Sequence, residues 1–284
     1  MLATDGLIMA PGAYDAWSAR LIEIAGFSAV YMTGYGASAS VLGQPDIGLM
    51  TGREMAEMAK NINYATSLPV IADADNGYGG VLNVVRTVRD YEGCGIAAIQ
   101  LEDQVMPKRC GHMEGKQLIA KDEMMAKIRA AVYARLDPDT VIIARTDARA
   151  VTGFGDALDR AQGYVEAGAD VIFLEAPQTI EEVKKAAREI KAPLLANMVE
   201  KGKTPLFTSD ELDAIGYKIA IYPTMPLYAA TKQILDTLAI LRDTGSLAAC
   251  QPNTVDFPTF YNMVGVPQAR DLEQSFLNEN QPTN

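Results

Sequence analysis

One histidine, one tryptophan and three cysteines are all that 284 residues carry of those types. Three cysteines (Cys94, Cys110, Cys250) make no disulfide framework, which points to a reducing cytoplasm. A single histidine and scattered thiols do not form a zinc set, structural or catalytic. Cations are also short: 25 Lys and Arg stand against 36 Asp and Glu, a formal charge of −11. That balance argues against a nucleic-acid partner, whose phosphates need a basic face. It leaves room for an anionic small molecule, because a local cluster of Lys and Arg decides that. No apolar run approaches ~20 residues and no signal-peptide pattern is visible, so no membrane span is expected. No short-period repeat is present, and no Gly-x-Gly-x-x-Gly follows the first strand, which weakens a dinucleotide-binding reading.

What is there reads as an ordinary globular chain, 49% hydrophobic and 21% charged. Short apolar runs predict strands at 7–10, 28–32, 68–72, 97–101, 141–144, 170–174, 193–196 and 219–222. Helical spacing predicts helices over 15–25, 51–66, 82–91, 121–136, 156–167 and 179–190, and a longer one after Pro223 through about Arg242. Thr51 and Glu54 form a capping-box pattern. Residues 34–48 read as a long loop. Residues beyond Ala249 read as a polar tail with one helix near 271–277. Unbroken apolar strands alternating with helices predict a (β/α)8 barrel rather than a doubly wound open sheet. Residues 1–284 are expected to form one barrel domain, with 250–284 as a C-terminal extension.

The polar residues carry more information than the strand count. Thr33, Asp73, Asp75, Glu102, Arg145, Asp147, Glu175 and Asn197 all fall at or just past the C-terminal end of a predicted strand, where barrel enzymes build their sites. Asp73 and Asp75 point the same way if their strand continues through both, and with Glu102 they suit Mg²⁺, with Mn²⁺ as a substitute. Asp-Ala-Asp-Asn-Gly reads equally as an Asx-rich turn. Arg145 suits a substrate carboxylate or a salt bridge to Asp147 or Glu175. The fourth strand opens into a loop with Lys108, Arg109, Cys110, His112 and Lys116, flanked by Gly111 and Gly115. A thiol beside cations is the setting of an accessible thiolate. His112 suits a base, a donor or a structural role. Cys94 reads as a buried hydrophobe, and the thirteen methionines as core or interface filler.

Five segments in order, Pro-Gly-Ala-Tyr-Asp (11–15), Asp-Ala-Asp-Asn-Gly-Tyr-Gly (73–79), Glu-Asp-Gln (102–104), Lys-Arg-Cys-Gly-His (108–112) and Ala-Arg-Thr-Asp (144–147), closely resemble the isocitrate lyase and phosphoenolpyruvate mutase superfamily. The likeness runs from about Gly6 to Arg242. It implies a Mg²⁺-dependent barrel acting on a 2-hydroxy or 2-oxo dicarboxylate. It also implies a homotetramer, a dimer of dimers, with the eighth helix exchanged between subunits. The cysteine in the loop resembles the carbon–carbon lyase branch and implies Cys110 as general acid. Asp73 and Asp75 then hold Mg²⁺, directly or through water, with Glu102 behind them. Tyr31, Thr33, Gly34 and Asp46 match substrate- and metal-side positions. Lys108, Gly111, His112, Arg145, Glu175 and Asn197 match the rest of the pocket. Tyr31 is the first candidate for the base. Met113-Glu114 stand where tricarboxylate-cleaving members carry Arg after the loop His. Tyr222 to Pro226 lacks the serine of oxaloacetate hydrolases. The resemblance therefore implies cleavage of a 2-alkylmalate, best 2,3-dimethylmalate, to pyruvate and propionate. Methylisocitrate cleavage and oxaloacetate hydrolysis or decarboxylation are the alternatives within enzymes, and a non-catalytic binding barrel the alternative outside them.

Overall fold

Eight parallel strands close on themselves in chain order, each paired with the next and β8 with β1. They are β1 (Ile8–Ala13), β2 (Val30–Met32), β3 (Val70–Asp73), β4 (Ala98–Glu102), β5 (Val141–Thr146), β6 (Val171–Leu174), β7 (Leu194–Asn197) and β8 (Ile219–Tyr222). Between and after them run α1 (Ala16–Ile24), α2 (Gly34–Ala37), α3 (Gly52–Ala65), α4 (Val81–Gly93), α5 (Lys121–Ala134), α6 (Ala148–Val151), α7 (Phe154–Glu166), α8 (Ile180–Glu189), α9 (Ser209–Ile215) and α10 (Met225–Thr244). The expected (β/α)8 barrel is therefore the observed fold. This computed structural model describes residues 2–111 and 113–278.

The described residues divide into two units, one running up to Leu227 and one from Tyr228 onward. The first holds the barrel. The second holds most of α10 followed by α11 (Leu247–Cys250), a 3₁₀ turn (Gln251–Asn253), α12 (Phe257–Met263) and α13 (Val266–Asn278). The helix expected near 271–277 lies within α13, and the rest of the stretch, read as a polar tail, is corrected to further helix: Asp256 caps α12 by accepting from Thr259 N at 2.7 Å, and Pro258 sits in the first turn, where its missing N–H costs nothing.

Period-two alternation sorts the strand side chains. Ile8, Ala10, Tyr31, Ile71, Ala98, Ile143, Val171, Phe173, Leu195, Ile219 and Ile221 form one buried cluster, the barrel interior. The intervening residues, among them Ile99, Leu101, Ile142, Ala144, Ile172 and Leu174, pack in a second cluster with the helices. Continuing the inward register two residues past Ile71, Ile143, Phe173 and Leu195, and four past Ala98 by way of Gln100, brings Asp73, Arg145, Glu175, Asn197 and Glu102 to the C-terminal mouth. The apolar floor and the polar rim are one alternation read from bottom to top.

Two local expectations are corrected, and one helix appears where none is expected. The segment 34–48 is not all loop: Thr33 caps α2 by accepting from Gly36 N at 3.2 Å, and a π-helical turn follows over Ser38–Leu42. β1 does not turn at Pro11-Gly12 but continues to Ala13, with Gly12 opposite Tyr31 and Ala13 opposite Met32, and Pro223 passes so close that a Cβ on Gly12 would collide with its backbone. Helix α9 escapes the apolar periodicity, being only seven residues long, although Thr208 and Glu211 form a capping box like that at Thr51 and Glu54.

Candidate active site

The third strand ends at Asp73, so the expected shared direction of Asp73 and Asp75 does not arise from a continuing strand. Asp75 instead takes a left-handed backbone (φ 46°), and its N–H donates to Asp73 Oδ1 at 3.0 Å. Tyr78 repeats the pattern (φ 57°), its N–H donating to Asn76 Oδ1 at 3.1 Å. The segment is both an Asx-rich turn and a carboxylate platform. Gly34 packs against it, and a Cβ there would lie 2.6 Å from Asp73 Oδ2.

Beyond β4 the chain makes an excursion whose neck is closed by a bridge between Gln104 and Leu118. Gln104 also braces it from within, its Nε2 donating to Arg109 O at 2.8 Å and its Oε1 accepting from Arg109 N at 3.0 Å. The loop seats on the mouth at several points. Cys110 N donates to Asp46 O at 3.1 Å. Lys108 Nζ, nearly buried, lies 2.6 Å from both Asp46 Oδ1 and Asp75 Oδ1. Gly111 fits so tightly that a Cβ would collide with Arg145 Nη2 and lie 2.8 Å from Glu175 Oε1. Lys116 Nζ donates to Gly111 O at 2.5 Å and to Asp147 Oδ1 at 2.6 Å. Cys110 is half-buried. His112 lies outside the described residues.

Arg145 is stacked 5.0 Å over the Phe173 ring and bonds Asp147 twice, Nε to Oδ2 at 2.9 Å and Nη2 to Oδ1 at 3.1 Å. Its Nε also lies 3.4 Å from Glu102 Oε2. Asn197 Nδ2 donates to Glu175 Oε2 at 3.2 Å. Tyr31 OH donates to Gln100 Oε1 at 3.2 Å.

Burial and charge act strongly on these groups. Burial would lower Lys108, but Asp75, Asp73, Asp46 and Glu102 push it well above the usual lysine range. Burial would likewise lower Arg145, and Asp147, Glu175 and Glu102 outweigh it. Burial raises Asp75 to about 6, with Lys108 opposing and Asp73 and Asp46 reinforcing. Glu102 is raised well above the carboxylate range by burial, against the pull of Arg145. Asp147 goes the other way: Arg145 and Lys116 overcome its burial and hold it at about 2. Burial and Asp73 push the Tyr31 phenol well up, so it stays a neutral donor.

The donor set suits a hard divalent ion: carboxylate oxygens converge at the mouth, and Asp75 Oδ1 and Glu102 Oε1 are buried without a well-aligned hydrogen bond, as is Asn197 Oδ1. As placed, no three His, Cys, Asp or Glu side chains among the described residues close around one point. The Lys108 ammonium stands between Asp46 and Asp75, and Glu102 is turned to Arg145. The sequence signals missed the supports behind the rim. Asp103 accepts from Thr146 Oγ1 (2.7 Å), Tyr164 OH (2.8 Å), Arg160 Nη1 (3.3 Å) and Asp147 N (3.0 Å). Gln100, a polar residue inside an apolar strand, was a readable clue to the support of Tyr31 and Asp73. Cys94, expected to be buried, is half-buried and donates to Ala56 O at 3.5 Å.

A family model described as phosphoenolpyruvate phosphomutase matches residues 1–242. A 2,3-dimethylmalate lyase of Eubacterium barkeri is 50% identical over 276 residues, covering 97% of this chain and 96% of that protein. Among solved structures, an oxaloacetate acetylhydrolase bound to 3,3-difluorooxalacetate superposes with a TM-score of 0.91 at 39% identity, covering 96% and 93% of the two chains. A phosphonopyruvate hydrolase in complex with oxalate and Mg²⁺ superposes with a TM-score of 0.86 at 31% identity, covering 95% and 94%.

Proposed function

The chain belongs to the phosphoenolpyruvate mutase/isocitrate lyase superfamily, and we propose that it is a Mg²⁺-dependent carbon–carbon lyase cleaving 2,3-dimethylmalate to pyruvate and propionate. The observation that carries this reading is the seating of the Cys110 loop on the carboxylate mouth, by Lys108 on Asp46 and Asp75 and by Gly111 against Arg145 and Glu175. That seating brings a thiol, two buried cations and the carboxylates to the same end of the barrel.

Asp73 and Asp75 are the residues that would hold the ion, with Asp46 and Glu102 near it. When bound, Mg²⁺ supplies Lewis acidity to the carboxylate and hydroxyl oxygens of a 2-hydroxy acid; Mn²⁺ is the natural substitute. Arg145, fixed by Asp147 and stacked on Phe173, holds a substrate carboxylate. Thr33, Gly34, Gly111, Glu175 and Asn197 shape the remainder of the pocket. As the C2 hydroxyl gives its proton to a base at the mouth and C2 becomes a ketone, the C2–C3 bond breaks and its electron pair leaves with C3. Arg145, Lys108 and the loop amides stabilise the charge on that fragment, and the Cys110 thiol gives C3 its proton. The raised phenol of Tyr31 argues against it as the base and for a donor role at the substrate oxygen. The seated loop excludes water while the carbanion-like fragment exists.

The chain's own surface suits self-association: no residue of α10 is buried, and Ile234, Leu235 and Leu238 are exposed along it. We infer a homotetramer in which α10 is covered by a second copy, to be read as a mass four times that of the chain in light scattering. No helix among the described residues is long and apolar enough to cross a membrane. The three cysteines form no disulfide with one another, and we infer a reducing cytoplasm.

A lactate dehydrogenase–coupled assay with Mg²⁺ and 2,3-dimethylmalate tests the reading. Pyruvate formation is expected, stronger than from methylisocitrate, and Cys110→Ser should lose ~10²–10⁴-fold in rate. No pyruvate from any 2-alkylmalate or methylisocitrate would refute the lyase. Rapid loss of oxaloacetate with inert malates would select the hydrolase instead.

A further inference from the structure

We infer that Lys116 is a positioning residue that latches the Cys110 loop to the carboxylate orienting Arg145, so that loop closure and the pose of the substrate-binding guanidinium are set together. The geometry is specific. One ammonium, almost wholly buried, donates to the carbonyl of Gly111, next to the thiol, at 2.5 Å and to Asp147 Oδ1 at 2.6 Å. The same Asp147 oxygen accepts from Arg145 Nη2 at 3.1 Å, while Oδ2 takes Arg145 Nε at 2.9 Å. The backbone of Asp147 is itself pinned by Asp103 Oδ1.

A lysine kept only to neutralise Asp147 needs no second partner, because Arg145 already neutralises that carboxylate. The additional bond stays inside the loop, to a carbonyl five residues back along the chain, while the bond to Asp147 leaves the loop for the end of β5. Buried charges demand partners, so an ammonium at this depth pulls both of them toward one point. If the loop lifts, the Lys116 ammonium cannot keep both Gly111 O and Asp147 Oδ1, and Gly111 leaves its close packing on Arg145. The loop therefore reports its position to Arg145 twice, once by direct packing and once through Lys116 and Asp147.

The inference rests on the lyase reading only for its kinetic arm, and its main test needs no turnover. The full-length protein and Lys116→Met are compared by the rate at which iodoacetamide alkylates Cys110, resolved from Cys94 and Cys250 by peptide mass. They are also compared by the rate at which an Arg-specific protease cuts after the exposed Arg109. Loss of one charge-assisted hydrogen bond is expected to speed both by roughly tenfold. Lys116→Arg, which keeps the charge and a donor, should stay near wild type. In the pyruvate assay Lys116→Met should raise KM as well as lower kcat, since Arg145 is loosened along with the loop. A methionine variant of lower melting temperature but unchanged alkylation and cleavage rates would overturn the latch and leave Lys116 structural. Should that variant not fold, Lys116→Gln, which retains a donor for Gly111 O, is read by the same two rates. Faster alkylation in Lys116→Met, when the wild-type protein itself makes no pyruvate, would keep the latch while refuting the lyase.

Discussion

Lys108 Nζ lies 2.6 Å from Asp75 Oδ1, at the heart of the carboxylates that suit a divalent ion. An ammonium and Mg²⁺ held on the same carboxylates oppose one another, because like charges at such separations repel by several kcal/mol even at an effective dielectric of about 20. Removing the lysine as Lys108→Met should therefore tighten divalent binding in the absence of substrate, by roughly tenfold or more if only ~1.4 kcal/mol of that repulsion is relieved. Titration with Mn²⁺ followed by electron paramagnetic resonance measures it directly. Turnover should fall in the same variant, since the loop loses its anchor on Asp46 and Asp75. A metal affinity unchanged or weakened would show that Lys108 swings clear of the ion without cost.

Asp75 gives that affinity a pH dependence. Its carboxyl is raised from 3.8 to about 6, chiefly by burial. The sign follows from linkage. Between about pH 4 and 6 the folded, metal-free protein holds a proton that the unfolded chain has released, so its stability falls as pH rises through that window. Metal binding needs the ionised form, so below about 6 each ion bound should displace close to one proton, and affinity should improve about tenfold per pH unit before levelling off above it. Calorimetric titrations in buffers of different ionisation enthalpy count the protons. Proton release that is absent at pH 5 would remove Asp75 from the ligand set.

The eightfold alternation and the rim of polar strand ends were legible in the sequence because both follow from period-two and period-3.6 patterning, which is local. Asp73, Glu102, Arg145, Glu175 and Asn197 could be placed at one mouth before any coordinates, since each terminates an apolar run. What was not legible depends on contacts between distant residues. The Asp103 junction joins residues up to 61 positions apart, and Lys116 meets Asp147 across 31. No spacing rule reports such pairs. The direction of Asp75 stays open in the sequence between a continuing strand and an Asx-rich turn, and only the end of β3 at Asp73 with the left-handed backbone at Asp75 decides for the turn.

Gly111→Ala separates loop seating from loop chemistry. A methyl group there must displace Arg145 Nη2 or Glu175 Oε1, or lift the loop. The barrel is untouched, so the unfolding free energy should change by no more than ~1 kcal/mol. The proton donor beside it moves, and misplacement of order 1 Å is worth ~10²-fold in rate. The expected signature is a folded, thermally near-normal protein with turnover reduced by about that factor. Wild-type kcat in Gly111→Ala would mean that the seated loop is not the working conformation.

Asp103 should be the costliest rim-side residue to lose, although it touches no proposed substrate position. It is fully buried, burial raises its carboxyl, and four donors converge on it: Thr146 Oγ1, Tyr164 OH, Arg160 Nη1 and Asp147 N. Asp103→Ala strands the hydroxyls and the amide without acceptors and deprives Arg160 of one of its two carboxylate partners, the other being Asp156 at 2.9 Å. Breaking a buried charge cluster from one side costs about 3–5 kcal/mol, and urea unfolding should show a loss in that range. Asp103→Asn keeps one acceptor oxygen for the Asp147 amide and should lose less stability. Because Asp147 orients Arg145, both variants should also lose turnover under conditions where they remain folded, the alanine more than the asparagine. Equal stability of wild type and Asp103→Ala would show that water replaces the carboxylate at all four donors, and the junction would then have no part in holding Arg145.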